Sequence, residues 1–181
     1  VRFNTENFRI LSVGRLSKVK RFDIIPSIAK ELKEHGYKFT WYILGDGDEK
    51  DQIISLIQKH EVSDEVILLG EKANPYTYFA GSDLYVITSI SEACPYVLNE
   101  AKVLNIPIIS TDFGSASEFI DNGVNGIITG VNDLTNMIRE MIDDKEKYDN
   151  IKKEISAFKY SNEEIMRKIE GLLDQEVITD D

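Results

Sequence analysis

Short apolar runs alternate with longer stretches in which apolar residues recur every three or four positions, and this alternation fills most of the chain. Runs at 9–13, 40–44, 66–69, 84–88, 106–110 and 124–129 have the length and bounding turn residues of buried strands. After the first run, residues 22–35 place Ile24, Ile25, Ile28, Ala29 and Leu32 on one helical face. Residues 51–60 do the same with Ile53, Ile54 and Ile57, while 75–79 predicts a short helix and 95–104 a longer one. Residues 132–143 and two stretches between 145 and 173 also carry the helical period. Strands that alternate with helices predict right-handed crossovers. The fold class is therefore α/β: a Rossmann-like, doubly wound parallel sheet of about six strands with flanking helices and a helical C-terminus. One domain over residues 1–175 and a frayed tail over 176–181 account for the chain.

Composition narrows this picture without changing it. With 181 residues, 42% hydrophobic and 29% charged, the chain can bury one full core. No run approaches a membrane span, and no signal peptide or lipidation motif is visible. The chain starts with Val1, and residues 1–7 read as a linker between elements. An excised domain whose N-terminal partner is absent is the expectation. A net charge of -11 argues against a nucleic-acid partner, which would demand a basic footprint. The lone Cys94 excludes an internal disulfide and fits a reducing compartment. It reads as a packed, inert thiol, since neither His35 nor His60 is near it in sequence to act as a base. Both histidines fall at predicted helix ends, where the dipole accounts for them.

Against the acidic background, Arg15, Lys18, Lys20 and Arg21 crowd the loop between the first strand and its helix. Arg15 follows the turn residue Gly14, and Lys20 lies just before the helix. A guanidinium grips phosphate oxygens in pairs and a lysine acts as a point charge, so the two can neutralise a diphosphate without a metal. Asp23 is the expected cap of that helix. Glu92 and Glu100 bracket the passage from the fourth strand to its helix. One carboxylate in the turn and one inside the helix can face a single cleft and grip vicinal hydroxyls of a sugar or ribose. Pro95 suits a first helical position, leaving the helix start open towards an anion. Gly14, Gly45, Gly47, Gly70 and Gly114 each follow a strand, where a ligand can approach the backbone closely. Gly114 and Ser115 can offer donors to a sugar, and Glu118 can cap the helix it enters. Taken singly, Glu92 and Glu100 are equally well read as a helix cap and a solvated helix position.

Read together, these segments resemble the donor-binding C-terminal domain of glycosyltransferase family 4, the group 1 transferases of the GT-B fold. The resemblance rests on Val13-Gly14-Arg15-Leu16 with Lys20, Leu44-Gly45-Asp46-Gly47, Leu69-Gly70, and Ser82-Asp83-Leu84-Tyr85-Val86. It continues through residues 89–101 with the paired glutamates, Ile106-Pro107-Ile108-Ile109-Ser110-Thr111, then Gly114, Glu118 and Asn122-Gly123-Val124-Asn125-Gly126. It implies a retaining, hexosyltransferase-type transfer from a nucleotide-diphosphate sugar, UDP-sugar before GDP-sugar, for polysaccharide or glycoconjugate biosynthesis. By that similarity Arg15, Lys20 and Glu92 are the catalytic set: the two cations bind the departing diphosphate and Glu92 touches the donor sugar. Gly14, Ala93, Cys94, Pro95, Tyr96 and Val97 belong to the donor-binding loops, Glu100 binds the ribose, and the backbone at Glu71 and Lys72 lines the base. Losing one cation would remove about 3 kcal/mol of transition-state stabilisation.

The resemblance further implies an N-terminal acceptor-binding domain as partner, no metal or other cofactor, and a cytoplasmic setting, with the inner membrane face reached through the missing half. The isolated chain is then expected to be inactive. Three departures bear on the site: the family often has Gly where this chain has Ala93, again where it has Arg21, and Gly-Gly where it has Gly114-Ser115. A sugar-nucleotide-binding module without turnover and a GT-B-type sugar-nucleotide epimerase remain as alternatives.

Overall fold

The computed structural model describes residues 6–92 and 96–158. Expectations for Ala93, Cys94, Pro95, the first five residues, the second of the late helical stretches and the tail lie outside those residues. Six strands, β1 (Phe8–Val13), β2 (Phe39–Leu44), β3 (Val66–Gly70), β4 (Leu84–Ile87), β5 (Ile108–Thr111) and β6 (Ile127–Thr129), form one sheet in the order β3-β2-β1-β4-β5-β6. Every neighbouring pair is parallel. The helices are α1 (Ile25–Glu34), α2 (Lys50–Lys59), α3 (Tyr76–Ala80), α4 (Tyr96–Val103), α5 (Leu134–Asp143) and α6 (Lys145–Ser156). None is long and apolar enough to cross a membrane.

Successive strand side chains point to opposite faces, so continuous apolar runs serve two cores. Ile10, Trp41, Ile43, Leu84 and Val86 pack with Ile25, Ile28, Ala29 and Leu32 of α1, Ile53 of α2 and Ile138 of α5. Their neighbours Leu11, Tyr42, Leu44, Tyr85 and Ile87 pack with Phe79 of α3 and with Leu98 and Ala101 of α4. The buried Trp41 indole N–H is satisfied by Ser12 Oγ at 3.1 Å, and that hydroxyl donates in turn to Val86 O.

Strand order reverses between β1 and β4, which opens a crevice at the carboxyl edge at that point. On the β1 side, the turns are laced to one another by their backbones. Gly14 N–H donates to Leu44 O, Leu16 N–H to Asp46 O and Gly45 N–H to Gly70 O, each at 3.0 Å. This lacing requires glycine: a Cβ on Gly45, at φ +141°, would lie 1.9 Å from Gly14 O. One on Gly47 would lie 2.4 Å from Leu16 O.

Several boundaries differ from the sequence reading. The helix expected over 22–35 opens as a 3₁₀ turn (Phe22–Ile24), and α1 begins at Ile25 with Pro26 in its first turn. Asp23 does not cap it: Arg21 precedes the turn without a side-chain bond, and Asp23 lies inside it. The fifth strand starts at Ile108 because Ile106 N–H still closes the end of α4 on Ala101 O, and Pro107 has no N–H to give. The sixth starts at Ile127 because residues 121–126 form a tight turn, in which Gly123 N–H donates to Gly126 O at 2.8 Å. His35 and His60 end α1 and α2, as their placement predicted.

Replacing Gly45 with Ala is expected to remove more than about 2 kcal/mol of stability, through the clash with Gly14 O and the positive φ. Gly130, at φ -71° with nothing near its absent Cβ, should accept Ala within about 0.5 kcal/mol. Urea denaturation of the two variants checks this; equal midpoints would contradict it.

Candidate functional site

The loop from β1 to α1 and the loop after β4 are fastened together across the strand-order reversal. Thr88 Oγ1 donates to Lys20 O at 2.6 Å, and Ile90 N–H donates to Val19 O at 2.9 Å. These bonds place the Lys20 ammonium 2.5 Å from Glu92 Oε1, an oxygen that also accepts from Ser89 Oγ at 2.6 Å. With side-chain exposures of 24% and 11%, the pair is partly shielded, so its attraction exceeds that of a surface pair. Lys20, Glu92, Val13, Tyr85 and Ser89 line one small hollow.

Arg21, next to Lys20, adopts φ 53°, ψ 38°, the left-handed region. A non-glycine residue there carries roughly 1 kcal/mol of strain. This accounts for the glycine that the resemblance places at the position: the chain must turn left-handed just after the lysine.

Beside the hollow, and sharing Val13 with it, a cleft of about 520 Å³ is lined by Gly14, Arg15, Gly45, Asp46, Gly47, Glu71, Lys72 and Pro75. Arg15 is therefore not in the same hollow as Lys20. Its guanidinium reaches Asp48 at 3.3 Å, with side-chain exposures of 70% and 83%. A pair so open to water is weak and leaves Arg15 free to swing. Lys50 and the Gly47 N–H hold Asp46 below the ordinary carboxylate range, so it stays ionised, and the Lys50 ammonium at 2.7 Å offsets its charge.

Glu100 stands on α4, where its Oε1 accepts from the Tyr76 hydroxyl at 3.1 Å. Tyr76 directly follows Pro75 of the cleft wall, which ties Glu100 to that wall through one hydrogen bond. Both glutamates act on the buried phenol of Tyr85: burial raises its pKa most, and the charges of Glu92 and Glu100 raise it further. Tyr96 opens α4, and the partly buried Val97 side chain packs against the core that Leu98 belongs to. After β5, the Gly114 N–H is taken by Asp112 Oδ1 at 3.0 Å and is not a donor to a sugar. Glu118 ends a 3₁₀ turn (Ala116–Glu118) with no side-chain cap, so the expected capping role is not seen. Among the described residues, no group of three or more His, Cys, Asp or Glu is placed to hold a metal ion.

Sequence reasoning overlooked Tyr76. An aromatic at the start of a five-residue helix reads as core, yet Tyr76 is 49% exposed. No local signal in the sequence marks it, because the contact depends on how α3 and α4 are spaced. Lys102 was overlooked as well. It lies 6% exposed, donates to Phe119 O and sits 5.0 Å from the Phe158 ring centre, which anchors α4 to the segment after β5.

The family model for glycosyl transferases group 1 matches residues 1–158. This chain belongs to that family. It is 31% identical over 134 residues to the N-acetyl-alpha-D-glucosaminyl L-malate synthase of Bacillus anthracis, covering 74% of this chain and 35% of the relative. It is 32% identical over 123 residues to the amylovoran biosynthesis glycosyltransferase AmsD of Erwinia amylovora, covering 67% of this chain and 34% of the relative. The Anabaena HepE crystal structure in complex with UDP superposes with a TM-score of 0.82 at 25% identity, over 93% of this chain and 49% of that one. The chain spans roughly a third of the length of the curated relatives it matches, 35% and 37% in two of them. Its sheet is that of GT-B glycosyltransferases.

Desolvation holds the Lys102 ammonium below its ordinary pKa of 10.5, with the charge of Asp121 opposing. The unfolded chain therefore binds this proton more tightly than the folded one. Stability contributed by this group rises as pH increases from the lowered folded value towards 10.5. The urea midpoint of the wild type should rise relative to that of Lys102→Met as pH increases across that alkaline window; a pH-independent difference would contradict it.

Proposed function

We propose that the chain is the donor-binding half of a retaining glycosyltransferase that moves a sugar from a nucleotide-diphosphate sugar to an acceptor hydroxyl. The observation that carries this is the Lys20–Glu92 pair at the strand-order reversal, beside the cleft whose wall residue Pro75 precedes the tyrosine that holds Glu100. In this reading the nucleoside lies along the cleft, with its base near the backbone of Glu71 and Lys72 and its ribose hydroxyls at Glu100. The diphosphate then runs past Gly14 towards Lys20, and Arg15 leaves its weak contact with Asp48 to meet it. Glu92 is left facing the sugar, its Oε1 engaged by Ser89 and Lys20.

The chemistry follows from charge. As the bond between the anomeric carbon and the diphosphate oxygen breaks, negative charge collects on the leaving phosphate and positive charge on the ring. A fixed ammonium beside the first and a carboxylate beside the second stabilise both. The acceptor oxygen forms the new bond to the anomeric carbon on the face the diphosphate leaves, and its proton passes to the departing phosphate, so atoms and charge balance.

UDP is favoured as the nucleotide, since HepE is described in complex with UDP and with UDP-glucose. The amylovoran relative supports a role in polysaccharide biosynthesis. An N-terminal acceptor-binding half would close over the carboxyl edge, where Val19 and Ile90, 48% and 60% exposed, flank the Lys20–Glu92 pair with apolar surface.

Calorimetric titration with UDP and with GDP, without and with Mg²⁺, tests the reading. Saturable UDP binding that persists without metal is expected. Lys20→Ala should weaken it by about 2 kcal/mol, the worth of a charged hydrogen bond. Failure of both nucleotides to bind the wild type would overturn the proposal.

A further inference from the structure

Tyr76 has neither a core nor a capping task. Its ring is 49% exposed, and α3 is held instead by Tyr78 and Phe79, the latter packed on Tyr85 with ring centres 5.0 Å apart. Its backbone is pinned by Asn74 Oδ1, which accepts the Tyr76 N–H at 3.0 Å, and by Pro75, which walls the cleft. From that fixed start the phenol reaches across to another helix and donates a hydrogen bond to Glu100 Oε1 at 3.1 Å. Glu100 holds the phenol in its protonated, donating form by raising its pKa.

A glutamate on an exposed helix face samples several rotamers and loses that freedom when it grips a ligand. A donor fixed on Oε1 selects one orientation in advance and leaves Oε2 to accept from a second partner. Geometry of this kind matters most for a bidentate contact, in which one carboxylate meets two adjacent hydroxyls.

We propose that Tyr76 is a positioning residue that pre-orients Glu100 for the vicinal hydroxyls of a ribose, and so sets the site's preference for ribonucleotides. The inference rests on the donor-site reading above and adds to it a residue outside the family motif segments. Tyr76 directly follows Pro75 of the cleft wall, so its contact with Glu100 stands next to the cleft. The hydroxyl acts on the ribose alone, so its removal leaves the diphosphate contacts of Lys20 unchanged.

Calorimetry of the wild type, Tyr76→Phe and Glu100→Ala with UDP, 2′-deoxy-UDP and 3′-deoxy-UDP separates these roles. The wild type should bind UDP about tenfold more tightly than either deoxy analogue, the scale of one good hydrogen bond to a charged group. Tyr76→Phe should weaken UDP by about fivefold and leave the deoxy analogues nearly unchanged, so that discrimination shrinks. A structural role for Tyr76 would weaken all three ligands equally. Equal weakening, or full retention of the wild-type ratio in Tyr76→Phe, would overturn the proposal. Unchanged UDP affinity in Glu100→Ala would instead strike the donor-site reading and remove the basis for this one.

Discussion

Backbone meets backbone at Gly45 and Gly14 more closely than any side chain would permit, and the site is built on that contact. Because the turn after β2 lies against the turn after β1, residues 14–21 cannot wander as a surface loop. Their course is set by Leu44, Asp46 and Gly47 beneath them and by Thr88 and Ile90 beside them. A rigid course delivers Lys20 to Glu92 and leaves Arg15 over the cleft. Charged groups placed this way need little reorganisation when charge develops, which is the condition under which electrostatic stabilisation is strongest.

The Lys20–Glu92 pair also defines the resting state of the site. Each charge is neutralised by its neighbour, so neither is buried unpaired. In the proposed reading an incoming diphosphate has to share Lys20 with Glu92, and a large part of its attraction goes into that exchange. Arg15, paired only with the exposed Asp48, gives up far less when it moves. Under the proposed function the two cations divide the work: one is fixed at the point of bond cleavage and the other is free to follow the ligand.

Much of this was legible in the sequence because it depends on local periodicity. Runs of Ile, Leu and Val between helical stretches are the direct trace of strands buried on both faces, and all six lie within a few residues of their expected places. The pairing of Lys20 with Glu92 was legible as composition, a basic loop in an acidic chain and two acids at a strand end. Other features leave no local trace. The contact between Tyr76 and Glu100 depends on the spacing of α3 and α4. The left-handed turn at Arg21 is hidden because a residue other than glycine occupies it. Asp23 looked like a cap only because a 3₁₀ turn and an α-helix have similar patterns over three residues. Gly114 offered a free donor on paper, until Asp112 folded back to accept it.

A crystal structure of this chain with UDP bound tests the central claim most directly. The account predicts the diphosphate within about 3 Å of Lys20 Nζ, and the ribose hydroxyls at the same distance from Glu100. A nucleotide lodged in the hollow lined by Gly123, Val124, Asp144 and Lys147, with Lys20 still facing only Glu92, would contradict it.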